Sequence, residues 1–265
     1  ATYTHNGAKK KLNFDINKFK KFKDKITYIV VDKQPDNILE LSNDDDKIAR
    51  GEKLILNGMA RDYFQRENLY NGIKEALNDD LILISDLDEI PNLNDLKSSS
   101  INNNIIIFEQ KMFYYKFNLL YENFDWIGSK ACKKKLFISP QWLRDTKNKK
   151  YPFWRFDTYF SKNKYVNVSI IGDGGWHFTQ IKSSQDIFSK LNTFAHHVDF
   201  KGSGLKLDDI SRAVKDKKIL YDHSADKDNQ DNKWIGTKTL KNVNLNLLPS
   251  YIFKNQEKFK DWIDK

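Results

Sequence analysis

A chain of 265 residues with 39% hydrophobic and 14% aromatic residues is long enough to bury a sizeable core and too apolar to stay disordered, although 31% of it is charged. Its formal charge of +9 comes from lysine interleaved with Asp and Glu, and arginine stands only at Arg50, Arg61, Arg66, Arg144, Arg155 and Arg212, so general attraction of anionic substrates is expected and nucleic acid is not. No apolar run approaches the roughly 18 to 20 residues that span a bilayer, the start lacks a signal-peptide core, and the single Cys132 allows neither an internal disulfide nor a thiolate zinc cluster.

In chain order, the β-branched residues 26–31 read as a strand ending at Asp32. From Met59, the positions Met59, Tyr63, Tyr70, Ile73 and Leu77 follow helical spacing until Asn78-Asp79-Asp80 stops the helix and feeds a second strand, Leu81 to Ile84. This β-α-β order predicts an α/β domain, residues 1–265, with a mostly parallel central sheet flanked by helices. Further strands are expected at 105–109, 112–117, 136–139 and 166–171, with a short helix starting at Pro140. Ser183-Ser184-Gln185-Asp186 is a capping box opening a helix that buries Ile187, Leu191 and Phe194. A last helix over 255–263 packs Phe259, Trp262 and Ile263 on the domain. Residues 203–207 and 221–233 read as polar surface loops, and the second is also placed to act as a substrate lid.

The chemistry concentrates where the run Leu81 to Ile84 ends in Ser85-Asp86-Leu87-Asp88-Glu89-Ile90-Pro91. In an extended segment residues i and i+2 point the same way, so Asp86 and Asp88 are expected to share one hard cation such as Mg²⁺ or Mn²⁺ together with phosphate oxygens of a substrate. Asp44-x-Asp46 and Asp226-x-Asp228 repeat the pattern without a preceding strand and read as solvated loops. The alternative for Asp86 and Asp88 is loop capping.

A second constellation, Gly172-Asp173-Gly174-Gly175-Trp176-His177, also follows a strand. Its glycines permit a tight turn or a close approach of backbone to ligand. Trp176 can stack on a sugar or base, and His177 can add a third metal ligand; a core Trp and a hydrogen-bonded His are the plainer reading. His196 and His197 read as structural, and His5 and His223 lie in polar segments that carry no argument.

These residues resemble glycosyltransferase family 17, the β-1,4-mannosyl-glycoprotein 4-β-N-acetylglucosaminyltransferase-like enzymes. The likeness runs through Thr4-His5-x-Gly7, Gln65-Arg66-x-Asn68 with Gly72, Ser85-Asp86-x-Asp88-Glu89-Ile90-Pro91, Tyr114-Tyr115 and Trp126-x-Gly128. It continues through Ser139-Pro140-Gln141-x-Leu143-Arg144, Gly175-Trp176-His177-Phe178, Lys190-Leu191 with Phe194-x-His196, and Leu248-Pro249-x-Tyr251. The resemblance implies a GT-A type, Rossmann-like domain, a UDP-sugar donor with UDP-GlcNAc as the expected one, a glycan acceptor and inversion at the anomeric carbon. The chain starts almost at the Thr-His-x-Gly segment, which leaves the family's first strand and helix unaccounted for.

The mechanism expected on that basis has Asp88, with Asp86, holding Mn²⁺ or Mg²⁺ across the donor diphosphate, and a carboxylate acting as general base on the acceptor. Asp173 is the first candidate base, with Glu89 and Asp157 behind it, and Glu89 alternatively braces the metal loop. Arg66 is a candidate phosphate partner or an internal lock; Trp126 and Tyr115 are candidate acceptor platforms or core residues. A haloacid-dehalogenase-like phosphohydrolase is the competing enzyme, disfavoured because Ile90 stands where such enzymes place Thr or Val. A non-catalytic carbohydrate-binding protein of the same fold is the competing non-enzyme. The Lys- and Asn-rich, Arg-poor composition suggests a microbial or viral host and a cytoplasmic location, with a Golgi lumen requiring an N-terminal anchor.

Overall fold

The computed structural model describes all residues except 97–100, 103, 195–196, 225–232, 235 and 237. Loop 221–233, Asp226-x-Asp228 and His196 therefore fall wholly or partly outside the described residues. The chain divides into two compact units: Ala1–Ala76 with Ser139–Gln141 and Ser189–Gly204, and Leu77–Ile138 with Trp142–Phe188 and Leu205–Lys265.

The first unit is dominated by helix α1, Lys47–Glu67, continued by a 3₁₀ turn at Asn68–Gly72. The helix starts well before Met59 because Asp46 caps it, its carboxylate accepting from the Ala49 N–H at 2.8 Å. It ends earlier than the apolar spacing suggested: the Asn68 side chain donates to Phe64 O at 2.7 Å, taking up a last-turn carbonyl. Residues 26–31 form no strand. Thr27, Tyr28 and Val30 are exposed and Val31 O accepts only from Thr2 N at 2.9 Å among the described backbone partners. A β-branched run becomes a strand by fitting a pleated, half-buried neighbour, and none lies beside this one.

The second unit holds a seven-stranded mixed sheet: β1 Leu81–Ile84, β2 Glu89–Pro91, β3 Ile105–Tyr114, β4 Leu119–Lys133, β5 Val168–Ile171, β6 Gly175–Thr179 and β7 Lys241–Asn242. The order is β1-β4-β3-β6-β2, with β5 also on β3 and β7 on β4. Pairing is antiparallel at β1/β4, β3/β4, β2/β6 and β4/β7, and parallel only where β5 and β6 meet β3. The mostly parallel sheet inferred from the β-α-β order is thus corrected. Residues 26–31 never enter the sheet, and the short link between β3 and β4 forces a hairpin, with Tyr115 at φ 63° in its turn.

Strands β5 and β6 lie end to end along β3, separated by the glycine turn. Gly174 N donates to Glu109 O at 2.7 Å, and a Cβ on Gly175, at φ +132°, would stand 2.1 Å from Ile90 O. The glycines thus make the tight turn that their spacing permits, packed closely on the backbone of β2. Two apolar clusters hold the sheet: Ile106, Phe108, Ala131 and Ile171 with Leu81 and Leu83, and Phe113, Phe178, Leu248 and Ile252 with Phe117, Trp176 and Phe259.

Residues 136–139 are not a strand; a 3₁₀ turn at Lys134–Leu136 leads to helix α2, Pro140–Asp145, which starts at Pro140 as expected. The Ser183 cap forms, its hydroxyl accepting from Asp186 N at 3.2 Å and opening Ser184–Leu191 with Ile187 and Leu191 buried. The C-terminal segment is a 3₁₀ helix, Gln256–Trp262, and packs Phe259 edge-on to Phe117. No helix among the described residues is long and apolar enough to cross a membrane.

Candidate functional site

The acidic motif is a turn between β1 and β2 rather than an extended strand end. Glu89 N donates to Asp86 O at 3.1 Å, a four-residue turn with Leu87 and Asp88 in its centre. The strand alternation that predicted parallel carboxylates does not operate there. Instead each acid takes a different partner: Asp86 is 2.8 Å from Arg144 NH2, and Asp88 Oδ1 lies 3.7 Å from His177 Nε2. Both carboxylates remain about two-fifths exposed, and Leu87 at the tip is fully exposed.

Glu89 is the buried anchor of this turn. Its side chain has no exposed surface, and it accepts from Trp126 Nε1 at 2.7 Å, Ser129 Oγ at 3.1 Å, Asp86 N at 2.9 Å and Arg144 NH1 at 2.9 Å. Burial alone would raise the Glu89 pKa, but the Arg144 guanidinium, the Trp126 N–H and the Asp86 N–H together hold it below the usual glutamate range. Gly128 makes this possible, since a Cβ there would stand 1.7 Å from Glu89 Oε1. Arg144, at the end of α2, straddles Glu89 and Asp86. Lys130 of β4 secures that helix end: its Nζ donates to Arg144 O at 2.7 Å and to Thr146 O. Burial, reinforced by the Arg144 charge, lowers the Lys130 pKa to about 8. A buried ion pair broken on one side costs about 3–5 kcal/mol, so Glu89, Arg144 and Lys130 form a rigid seat for Asp86 and Asp88.

His177 comes from β6, directly opposite Glu89 in the β2/β6 ladder. Its ring stacks on Trp126 with centroids 4.4 Å apart and planes 19° from parallel, and its buried Nδ1 has no hydrogen-bond partner among the described residues. Such an atom costs stability. His223, which the sequence offered no reason to choose, joins this aromatic group, its ring centroid 5.7 Å from that of Trp126 and 5.8 Å from that of Phe124. The neighbouring Asp222 fixes the segment, accepting from Tyr121 Oη at 2.8 Å and pairing with Lys238 at 3.0 Å. Burial opposes ionisation of Asp222, yet Ser224, Tyr121 and Lys238 lower its pKa to about 2. The available signal was weak, because a His in a polar stretch becomes a site residue only when β4 brings its aromatics alongside.

The remaining candidates lie elsewhere. Trp176 is one residue out of phase with His177 and so faces the other side of the sheet; its Nε1 donates to Leu247 O at 2.6 Å within the Phe113 cluster. Asp173, at φ 48° in the glycine turn, pairs with Lys111 at 2.6 Å. Lys111 is the register partner of Trp176, so Asp173 is not brought to Asp86 and Asp88. Asp157 is held by Arg155 and Lys164 at 2.7 and 2.8 Å. Arg66 belongs to the first unit, paired with Asp62 at 3.0 Å and donating to Gln141. Tyr115 is a core residue whose hydroxyl donates to Lys218 O at 3.0 Å. His197 is buried, with Nδ1 2.8 Å from Phe194 O, in keeping with a structural role.

Among the described residues no group of three or more His, Cys, Asp or Glu side chains has the geometry of a metal cage. The donor chemistry of Asp88 and His177 nonetheless fits a divalent cation: a carboxylate oxygen and an imidazole nitrogen, 3.7 Å apart, are too far apart for a hydrogen bond and are ligand types that Mn²⁺ and related ions accept. The second unit is thus a mixed α/β sheet domain carrying an acid-histidine-aromatic site. No protein-family model matches the chain, and neither a curated protein nor a solved structure is significantly similar to it.

Proposed function

We propose that the chain is a metal-dependent glycosyltransferase, moving a sugar from a UDP-sugar, GlcNAc by the motif resemblance, to a glycan acceptor with inversion. The observation that carries this reading is the convergence of Asp88 and His177, two metal-type ligands from segments far apart in sequence, on a turn held rigid by Glu89 and Arg144. Asp88 and His177, with Asp86 in the same turn, would hold the Mn²⁺ or Mg²⁺, which when bound would stabilise charge on the departing nucleotide. Glu89 acts as the brace of the turn; both its oxygens are occupied and it is closed to solvent, which argues against a base role. Trp126, in ring contact with both His177 and His223, offers an apolar ring for a sugar or base to approach. The GT-A type belongs to this proposal and rests on the motifs, since parallel pairing in the sheet is confined to β3 with β5 and β6.

The test is release of free nucleotide from a panel of sugar nucleotides, with Mn²⁺ or with EDTA, by the wild type and Asp88→Asn. Turnover of one UDP-sugar that needs the metal and vanishes in the variant supports the transferase. Hydrolysis of phosphate esters without sugar-nucleotide turnover replaces it with the phosphohydrolase, and glycan binding without any turnover replaces it with a binding protein.

A further inference from the structure

The segment between Lys147 and Tyr165 takes no part in this site, yet it turns five aromatic rings to solvent. Phe153, Trp154, Phe156, Tyr159 and Phe160 are between 62% and 90% exposed. At about 150–250 Å² per ring, that is on the order of 700 Å² of exposed aromatic surface within one short segment, where singly scattered apolar residues are the ordinary case. The segment is shaped by its own bonds. Lys147 N donates to Asn163 O at 2.7 Å and Trp142 Nε1 to Lys162 O at 2.6 Å across its base, and the buried Thr158 donates its hydroxyl to Arg155 O at 2.6 Å. The polar Thr158 is thus held inward while the rings around it point out.

Cations frame the rings. Lys147, Lys149, Lys150, Arg155, Lys162 and Lys164 stand in this stretch, and Asp157 is consumed by Arg155 and Lys164. Lys149, Arg155 and Lys164 also approach the Tyr151 ring at 5.9, 5.7 and 5.9 Å. We propose that this segment docks the protein on an anionic lipid surface, the rings entering the headgroup region and the lysines meeting lipid phosphates and carboxylates. Two features favour lipid over a protein partner. Protein interfaces are depleted in Lys, whereas an exposed aromatic tip inside a Lys-rich border is the arrangement that interfacial membrane anchors use. Basic residues also gain from the negative surface potential of anionic leaflets. This attachment is peripheral and independent of the proposed transferase activity.

The test is co-sedimentation of the full chain with phosphatidylcholine vesicles and with vesicles that also contain phosphatidylserine. The variants are the triple substitution Trp154→Ser, Phe156→Ser, Phe160→Ser and the double substitution Lys149→Glu, Lys150→Glu; all these positions except Lys149 and Lys150 are among the exposed rings, and thermal melts check that both variants fold. The expected result is binding to anionic vesicles only, weakened by salt and by about tenfold or more in each variant with unchanged melting. Absence of binding to anionic vesicles at low salt overturns the proposal, as does equal binding by wild type and triple variant. Self-association or glycan binding that the triple variant alone loses, without vesicle binding, assigns the patch to those partners instead.

Discussion

Substitution Gly128→Ala strikes the acidic turn at its tightest point. The added Cβ would stand 1.7 Å from Glu89 Oε1, 2.3 Å from its Cδ and 2.4 Å from Trp126 Nε1, far inside the about 3.5–4.0 Å of favourable carbon contact. Neither neighbour can yield easily, because Glu89 is closed to solvent and tied to Arg144, Ser129 and Asp86 N. Either the carboxylate leaves Arg144, at about 3–5 kcal/mol for a broken buried pair, or β4 shifts to absorb the methyl, at about 1–3 kcal/mol of overpacking. A loss of about 3 kcal/mol is expected, a large share of the roughly 5–15 kcal/mol that holds a domain together. Gly172→Ala is the matched control: its Cβ meets only Glu109 Oε2 at 3.9 Å, and its effect should stay within about 0.5 kcal/mol. Urea denaturation followed by circular dichroism and tryptophan fluorescence reads both. A Gly128→Ala loss no larger than the control's, with unchanged m-value, would refute the claim that Glu89 is locked in place.

The same lock has a pH signature. The folded pKa of Glu89 is lowered, so its contribution is full above the unfolded value of about 4.3 and is lost as pH falls through the lowered one. The stability gap between wild type and Glu89→Gln should shrink in acid, and a constant gap would count against the Arg144 pairing. Lys130 acts in the opposite range: with its folded pKa near 8 and an unfolded value of about 10.4, the unfolded chain binds the extra proton between them. Wild-type stability should therefore rise with pH across that window relative to Lys130→Met, by no more than about 3 kcal/mol; parallel profiles would show that Lys130 is not buried as a cation. His223→Ala should lower kcat/KM for sugar-nucleotide turnover roughly tenfold, the equivalent of one contact, without shifting the melting temperature. An unchanged rate would remove His223 from the site.

What the sequence discloses is set by how local each determinant is. The strand Leu81–Ile84, the cap at Ser183 and the glycine turn before Trp176 are legible because a few consecutive residues decide them. Residues 26–31 carry the same β-branched signature as a true strand and remain unpaired, because a strand is completed by a neighbour that no local pattern specifies. Strand β4, the longest in the sheet, escaped notice for the opposite reason: its run from Leu119 to Lys133 mixes Glu122, Asp125, Ser129 and Lys130 among its apolar residues. Those polar positions are not interruptions of a strand. Ser129 and Lys130 are fully buried and point at Glu89 and at the end of α2, so two of the four residues that blur the strand pattern help to build the site.

The same logic explains the division of the predicted site residues. Asp86, Asp88, Glu89 and His177 were found because motif and strand end coincide, but their roles follow from partners contributed by β4 and α2, which sequence spacing does not report. Glu89 is a brace because the missing side chain of Gly128 lets its carboxylate sit against β4, bonded to Trp126 and Arg144. Trp176 sits beside His177 in the chain and on the opposite face of the sheet, the expected outcome of a two-residue repeat, while Asp173 lies in the glycine turn outside that repeat and pairs with Lys111. Adjacency in sequence is therefore evidence against shared function within a strand and evidence for it within a turn. The one candidate pair that crosses this rule, Asp88 with His177, joins a turn to a strand, and its 3.7 Å gap beside an unpartnered Nδ1 is where a metal titration followed by histidine NMR shifts should report first.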